Sequence, residues 1–280
     1  MSFLDDSNLP PLACSVRGCG ARLAREGRAL VCEAKHSFDI ARSGYVNLLQ
    51  PNDRRSLEAG DSKEQVAART RVYEQGLLTP LVGELVRAAR EHVKAHALAL
   101  EVGCGPGFAL DELSRGLEFA ATGLDLSAHA IDAAARRFPR LHWVVANADR
   151  TLPFLDGSLD LVASVTGPKN PAEFRRILRQ NGRAIVAVPA ADDLIELRGA
   201  VLGSALETER VERVLATFAA DFELVERATV RSRARLAPAT LRDLLDSTYR
   251  AARTREAERA SELAELEVTL STEVLVLGAR

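Results

Sequence analysis

From residue 97 onward, short apolar runs at 97–102, 120–124, 143–146, 159–165 and 184–188 alternate with stretches of three- and four-residue apolar spacing near 108–113, 127–138 and 172–178. Short runs without polar alternation predict strands buried on both faces, and the spaced stretches predict amphipathic helices. Their alternation predicts right-handed crossovers and a parallel sheet covered on both sides, an α/β fold. Beyond residue 190 the pattern predicts a helix, a strand near 222–230, helices between about 239 and 263, and a last strand near 266–277.

Upstream the pattern changes. Residues 10–50 are rich in Cys, Gly, Arg and turn formers, with apolar runs too short to bury a core without a staple. Residues 51–60 are polar and aperiodic, as in a linker. Helical spacing starts at Ser62, which sits three residues before Gln65 as in a capping box, and a second helix is expected from Pro80 to about Lys94. The expected organisation is a small domain over 1–50, a linker and helices over 51–96, and the α/β domain over 97–280.

Composition narrows the function classes. The chain has 280 residues, 47% hydrophobic and 27% charged, with a net charge of −2. That balance excludes a whole-chain basic field, so any nucleic-acid contact is local. No apolar run approaches the roughly 18 residues of a membrane span, and the opening Met1-Ser2-Phe3-Leu4-Asp5-Asp6 lacks the character of a signal peptide. The expectation is a cytoplasmic protein with no membrane partner and with reduced thiols.

Three of the four cysteines crowd the start. Cys14, Cys19, Cys32 and His36 supply four ligands in two short loops, the donor set of a closed tetrahedral zinc site. Around them Arg17, Arg22, Arg25, Arg28, Lys35 and Arg42 outnumber Glu26, Glu33 and Asp39, which suits either a phosphate-facing surface or a solvated face. Cys104 stands alone and reads as a packed side chain, not a nucleophile. His92, His96, His129 and His142 show no catalytic spacing.

The first strand ends in Glu101, then Gly103, Gly105 and Gly107 open a helix. A dinucleotide fingerprint would place the third glycine one residue later, and a carboxylate ahead of the turn repels pyrophosphate but accepts a hydrogen bond from a cationic ligand. That favours a sulfonium nucleoside over NAD. The second strand ends at Asp125 and the third at Asn147-Ala148, all on the carboxyl edge where open sheets bind ligands.

Taken together, these residues resemble the class I S-adenosylmethionine-dependent methyltransferases over about residues 97–190. The resemblance implies a Rossmann-like sheet, parallel with an antiparallel C-terminal strand. It implies Glu101, Gly103, Gly105 and Gly107 around the methionine part, Asp125 and Leu126 at the ribose, and Asn147 and Ala148 at the adenine. The run from Cys32 and His36 through Phe38-Asp39-Ile40-Ala41-Arg42-Ser43-Gly44-Tyr45-Val46-Asn47-Leu48-Leu49, then Gly60-Asp61-Ser62 and Ala68-Arg69, is similar to the zinc-ribbon ribosomal RNA guanine-N1 methyltransferases. That implies a structural zinc, a large-subunit RNA hairpin as partner and a homodimer.

The chain departs from that family in Cys14-x4-Cys19, in Val165-Thr166-Gly167-Pro168-Lys169 after the fourth strand, and in Ser247-Thr248-Tyr249-Arg250. Thr166 and Pro168 are the acceptor-side candidates, and no general base is visible. Phe38 and Tyr45 are the aromatics nearest the basic ribbon, available for base stacking or for the ribbon core. The departures leave open a small-molecule methyltransferase on the same scaffold, or an inactive cofactor-binding module that contacts RNA or protein.

Overall fold

A computed structural model describes residues 9–51, 60–117, 120–203, 209–248 and 262–280. Three three-residue strands, β1 (Ala24–Glu26), β2 (Ala29–Val31) and β3 (Ser37–Asp39), form an antiparallel ribbon. Gly27 at φ +63° makes the two-residue turn that pairs Glu26 with Ala29. The next strand, β4 (Tyr45–Asn47), leaves the ribbon and joins the large sheet.

Two helices follow, α1 (Lys63–Glu74) and α2 (Thr79–His92). The expected capping box holds α1: Ser62 Oγ accepts from Gln65 N, and the Gln65 side chain accepts from Ser62 N at 2.9 Å. Then come β5 (Leu98–Val102), α3 (Phe108–Leu117), β6 (Ala120–Asp125), α4 (Ala128–Arg137), β7 (His142–Val145), β8 (Leu159–Val165), α5 (Pro171–Ile177) and β9 (Leu178–Pro189). The last third holds α6 (Ile195–Leu202), α7 (Val211–Phe218), β10 (Phe222–Leu236), α8 (Pro238–Thr248) and β11 (Leu266–Ala279).

The sheet order is β10-β11-β9-β8-β5-β6-β7-β4. Strands β4 to β9 run parallel, and β11 is antiparallel to both β9 and β10. Strand order reverses at β5, between β6 on one side and β8 on the other. The carboxyl ends of these central strands therefore frame the crevice in which such sheets take ligands.

Alternation along the strands divides the core. Leu100 and Val102 face one layer with Leu124 and Val144, while Ala99 faces the other with Ala121, Trp143 and Val145. The ribbon belongs to the first layer: Leu12, Leu23, Leu30 and Ile40 share its cluster. Main-chain bonds stitch it down, Ala13 N to Pro153 O and Leu155 N to Pro11 O, both 3.0 Å. A third cluster joins α1, α6 and α8 through Val72, Leu197, Leu241 and Leu245.

Differences from the expected elements lie mainly after residue 178. Strand β9 starts six residues earlier than the apolar run, and β10 extends to Leu236. Helix α7 was not expected at all, although Val211, Val214, Leu215 and Phe218 carry helical spacing. Most of the expected linker, and the helical stretch after Thr248, fall outside the described residues.

Candidate cofactor cleft and metal centre

The four expected metal ligands converge. Their ligating atoms lie within 4.8 Å of one another, with Cys14 Sγ to His36 Nδ1 at 3.4 Å, Cys32 Sγ to His36 Nδ1 at 3.5 Å and Cys19 Sγ to Cys32 Sγ at 3.9 Å. Zinc bonds of about 2.3 Å to sulfur and 2.0–2.1 Å to nitrogen set tetrahedral edges of about 3.5–3.8 Å, so the donor set fits that ion. The long first spacing is absorbed by a turn in which Cys19 N bonds Val16 O at 2.9 Å, with Gly18 at φ +79°. Burial pushes the Cys14 thiol up to about 12, a cost that a bound dication reverses by holding thiolates. All four ligands come from protein, so the centre is structural.

At the end of β5 the chain turns sharply. Gly103 at φ +74° donates its N–H to Leu124 O at 2.7 Å, and a Cβ there would stand 2.6 Å from Pro168 Cδ and 3.1 Å from Gly167 Cα. The turn is therefore a cradle closed by the loop after β8. Asp125 braces it from below, accepting Gly105 N at 2.9 Å and Ser127 N at 2.8 Å. Glu101 is 2% exposed and its Oε2 has no hydrogen-bond partner among the described residues. Burial, reinforced by the Asp125 charge, pushes the Glu101 carboxyl up to about 8. An orphaned carboxyl oxygen under a glycine turn is what a cationic ligand satisfies. Cys104, also buried, has its thiol pushed well up, consistent with packing and not with nucleophilic chemistry.

The Gly60-Asp61-Ser62 segment closes α1 over this turn. Gly60, at φ +94°, leaves no room for a Cβ against Ser127, whose hydroxyl donates to Asp61 O at 2.7 Å. Asp61 pairs with Arg69 at 3.3 Å, and Arg69 also donates to Ser247 O of α8 while lying over Gly105. Tyr73, one turn on, stacks on Phe108 with centroids 4.9 Å apart and planes at 4°.

These elements enclose a cavity of about 650 Å³, a size usual for small-molecule sites. Of the expected residues, Glu101, Gly103 and Thr166 line it. Pro168 backs Gly103, and Asp125 reaches the site through Gly105. Asn147 and Ala148 lie farther along the carboxyl edge: Asn147 Oδ1 accepts Asp149 N at 2.9 Å, and Ala148 O accepts Asn170 Nδ2 at 3.3 Å. Phe38 packs half-buried against the ribbon's apolar cluster and Tyr45 half-buried against the sheet.

Arg69, Tyr73, Lys169, Asp193, Arg210 and Arg213 also line the cavity, and sequence reasoning assigned none of them there. Asp125 ends β6, whereas Asp193 lies four residues beyond the end of β9, so the polar end of the strand does not mark it.

Glu101 gives a pH signature. The folded carboxyl keeps its proton up to about pH 8, whereas an exposed Glu releases it near 4.5. The contribution of Glu101 to stability is therefore full below pH 4.5 and is lost as pH rises toward 8, at up to about 1.4 kcal/mol per unit. Glu101→Gln should flatten that fall in ligand-free melts between pH 5 and 9; slopes identical to wild type would remove Glu101 as the cause.

Comparison with known proteins agrees with this geometry. A family model described as a methyltransferase domain matches residues 99–184, and the zinc-ribbon model described as RlmA, N-terminal, matches residues 13–57. The 23S rRNA (guanine(748)-N(1))-methyltransferase of Streptomyces fradiae is 37% identical over 221 residues, 78% of each chain. A protein of Micromonospora griseorubida, provisionally named a 23S rRNA (guanine-N(1)-)-methyltransferase, is 34% identical over 81% of this chain and 82% of its own. The crystal structure of YcgJ from Bacillus subtilis shares the fold, with a TM-score of 0.50 over 71% of this chain and 97% of that one at 14% identity. Ribbon, glycine turn and sequence together show that the chain belongs to the zinc-ribbon 23S rRNA (guanine-N1) methyltransferases, which use S-adenosylmethionine.

Proposed function

We propose that the protein methylates N1 of a guanine in 23S rRNA, presented in a large-subunit hairpin, and that it works as a cytoplasmic homodimer. The observation that carries this reading is the polarity of one cavity. That cavity is lined by the buried carboxyl of Glu101, whose Oε2 has no hydrogen-bond partner among the described residues, and Lys169, Arg210 and Arg213 line it too. An acid interior suits a cationic methyl donor, and cations on the wall suit a polyanion.

When bound, S-adenosylmethionine supplies an electrophilic methyl on sulfur. In this reading Glu101 accepts from its ammonium group, and Gly103, Gly105 and Gly107 let the backbone approach the methionine part. Asp125 with Leu126 holds the ribose, and Asn147 with Ala148 faces the adenine. Thr166 and Pro168 shape the acceptor side, where positioning supplies most of the rate. Arg17, Arg22, Arg28, Lys35 and Arg42 are exposed on and beside the ribbon. Among them Lys35 alone has an ion pair among the described residues, 3.9 Å from Glu26, which leaves the others free for phosphates. Among the described residues no helix is long and apolar enough to cross a membrane.

Thr166 carries a β-branched side chain at φ +54°, a left-handed conformation that costs about 1–2 kcal/mol. Thr166→Gly should raise stability by about 1 kcal/mol while slowing methylation; unchanged turnover would take the side chain out of the acceptor site. The reading as a whole is tested by incubating the protein with labelled donor and either rRNA from a strain lacking the enzyme or a metabolite extract. Label in 23S rRNA, with affinity falling steeply in salt, is expected. Label confined to metabolites would give the small-molecule alternative.

A further inference from the structure

We propose that Asp193 takes the N1 proton of the target guanine and reads its N1–H and N2 amino edge. The inference rests on the guanine-N1 reading above. Neutral guanine has a hydrogen on N1, so the atom that must attack is blocked until that proton leaves. N1–H and the N2 amino group are adjacent donors, and a carboxylate offers two acceptor oxygens to match them. Adenine presents an acceptor at N1, which a carboxylate repels.

Asp193 is placed for this task. It sits in the loop after β9, on the carboxyl edge of the sheet, and lines the same cavity as Thr166 and Lys169. Its Oδ1 accepts Ser271 N from β11 at 2.9 Å, which fixes the carboxyl group, and among the described residues Oδ2 has no hydrogen-bond partner. The next residue, Leu194, is 3% exposed and held at φ +51°, with its N–H on Thr269 O at 2.8 Å. Strain of this kind in a buried leucine persists where packing dictates it, and here it aims the neighbouring carboxyl.

Two carboxyl groups line the cavity, and they divide the work. Glu101 lies in β5 just ahead of the glycine turn, and Asp193 comes from the loop after β9. The charges facing Asp193 are Arg198 from α6, Arg210 ahead of α7 and Asp192 on its own loop; Arg69, Lys169 and Arg213 line the same cavity, as does the Glu101 carboxyl, which keeps its proton up to about pH 8. Asp192 is itself engaged by Arg231 of β10 at 2.7 Å. Burial pushes Asp193 up to about 6 against the pull of the Ser271 amide, so it is ionised at neutral pH yet basic enough to accept a proton. Lys169 and Arg210 offset the negative charge that develops on N1 and O6.

The step balances. The N1–H bond breaks and its proton moves to Asp193 Oδ2. The N1–CH3 bond forms as the S–CH3 bond of the donor breaks, its electron pair staying on sulfur, and the proton then leaves to solvent.

Asp193→Asn and Asp193→Glu, made in the full chain, test this with an rRNA fragment that wild type methylates. For Asp193→Asn, kcat should fall about 10²–10⁴-fold, with KM for RNA, affinity for S-adenosylhomocysteine and melting temperature close to wild type. Wild-type rate should drop as pH falls through about 6, a limb absent from Asp193→Asn, whose residual rate should instead climb toward alkaline pH as guanine itself ionises. Asp193→Glu should regain part of the rate and the acid limb. An Asn variant within threefold of wild type, or one that keeps the limb, would overturn the assignment. So would a wild-type profile with no acid limb, which needs no variant to fold. Failure of wild type to methylate guanine N1 at all would instead overturn the functional reading.

Discussion

Cys32→Ser should lose the bound zinc and unfold the ribbon while leaving the cofactor cleft intact. The ribbon has three strands of three residues each, too little structure to persist alone. Metal binding supplies about 10–16 kcal/mol in small zinc folds, so losing one of four ligands removes most of what holds this region. Two features limit the damage. Leu12, Leu23 and Leu30 pack on the sheet, and residues 11–13 bond the loop at 153–155, so part of the segment is expected to stay docked. Glu101 and Asp125 are set by the central strands β5 and β6, whose pairing does not involve the ribbon strands β1 to β3. The expected result is one zinc per chain in wild type and none in the variant, fast amide exchange over residues 14–40, and much weaker RNA binding. Affinity for S-adenosylhomocysteine should stay within about threefold. Full zinc occupancy, or protected ribbon amides without metal, would contradict the assignment.

Gly103→Ala should nearly abolish cofactor binding. The new methyl would meet the ring of Pro168 at 2.6 Å and the Gly167 backbone at 3.1 Å, groups that cannot swing away as a flexible side chain would. The backbone at φ +74° adds a left-handed penalty, for a combined loss of about 1–3 kcal/mol in stability. Any relaxation opens the cradle between Gly103 and Pro168, so affinity for S-adenosylhomocysteine should fall at least about 100-fold, as calorimetry would show. Gly83 in α2 is the control: it has nothing within 4 Å and ordinary helical surroundings, so Gly83→Ala should stabilise by about 0.5–1 kcal/mol with binding unchanged. Equal behaviour of the two variants would show that the turn is not a ligand cradle.

What was readable along the chain follows from what local chemistry specifies. The parallel strands β5 to β8 are dry on both faces, so their apolar runs mark them within one or two residues. The extensions of β9 and β10 were hidden because their added residues, Arg179 to Gly182 and the alternating Arg231, Arg233 and Arg235, are polar. Strand β10 is an edge strand and tolerates such residues because one side faces water, and Arg179 to Gly182 of β9 lie outside its paired registers with β8 and β11. Strand β4 was read with the ribbon, and its pairing with β7 depends on residues almost a hundred positions away.

The site divides in the same way. The glycine turn and the metal ligands are clustered in sequence and could be named from spacing. The rest of the lining includes Arg69, Asp193 and Arg210, which come together only once α1, the loop after β9 and the start of α7 pack over the crevice. The strain at Thr166 and Leu194 could not be read from residue type, since neither threonine nor leucine favours a left-handed backbone.

The most direct test is to treat 23S rRNA from a strain lacking the enzyme with protein and donor, digest it to nucleosides and identify the methylated product by mass spectrometry. The account predicts 1-methylguanosine, with a matching reverse-transcription stop at one 23S guanine. A different methylated nucleoside, or none, would contradict it.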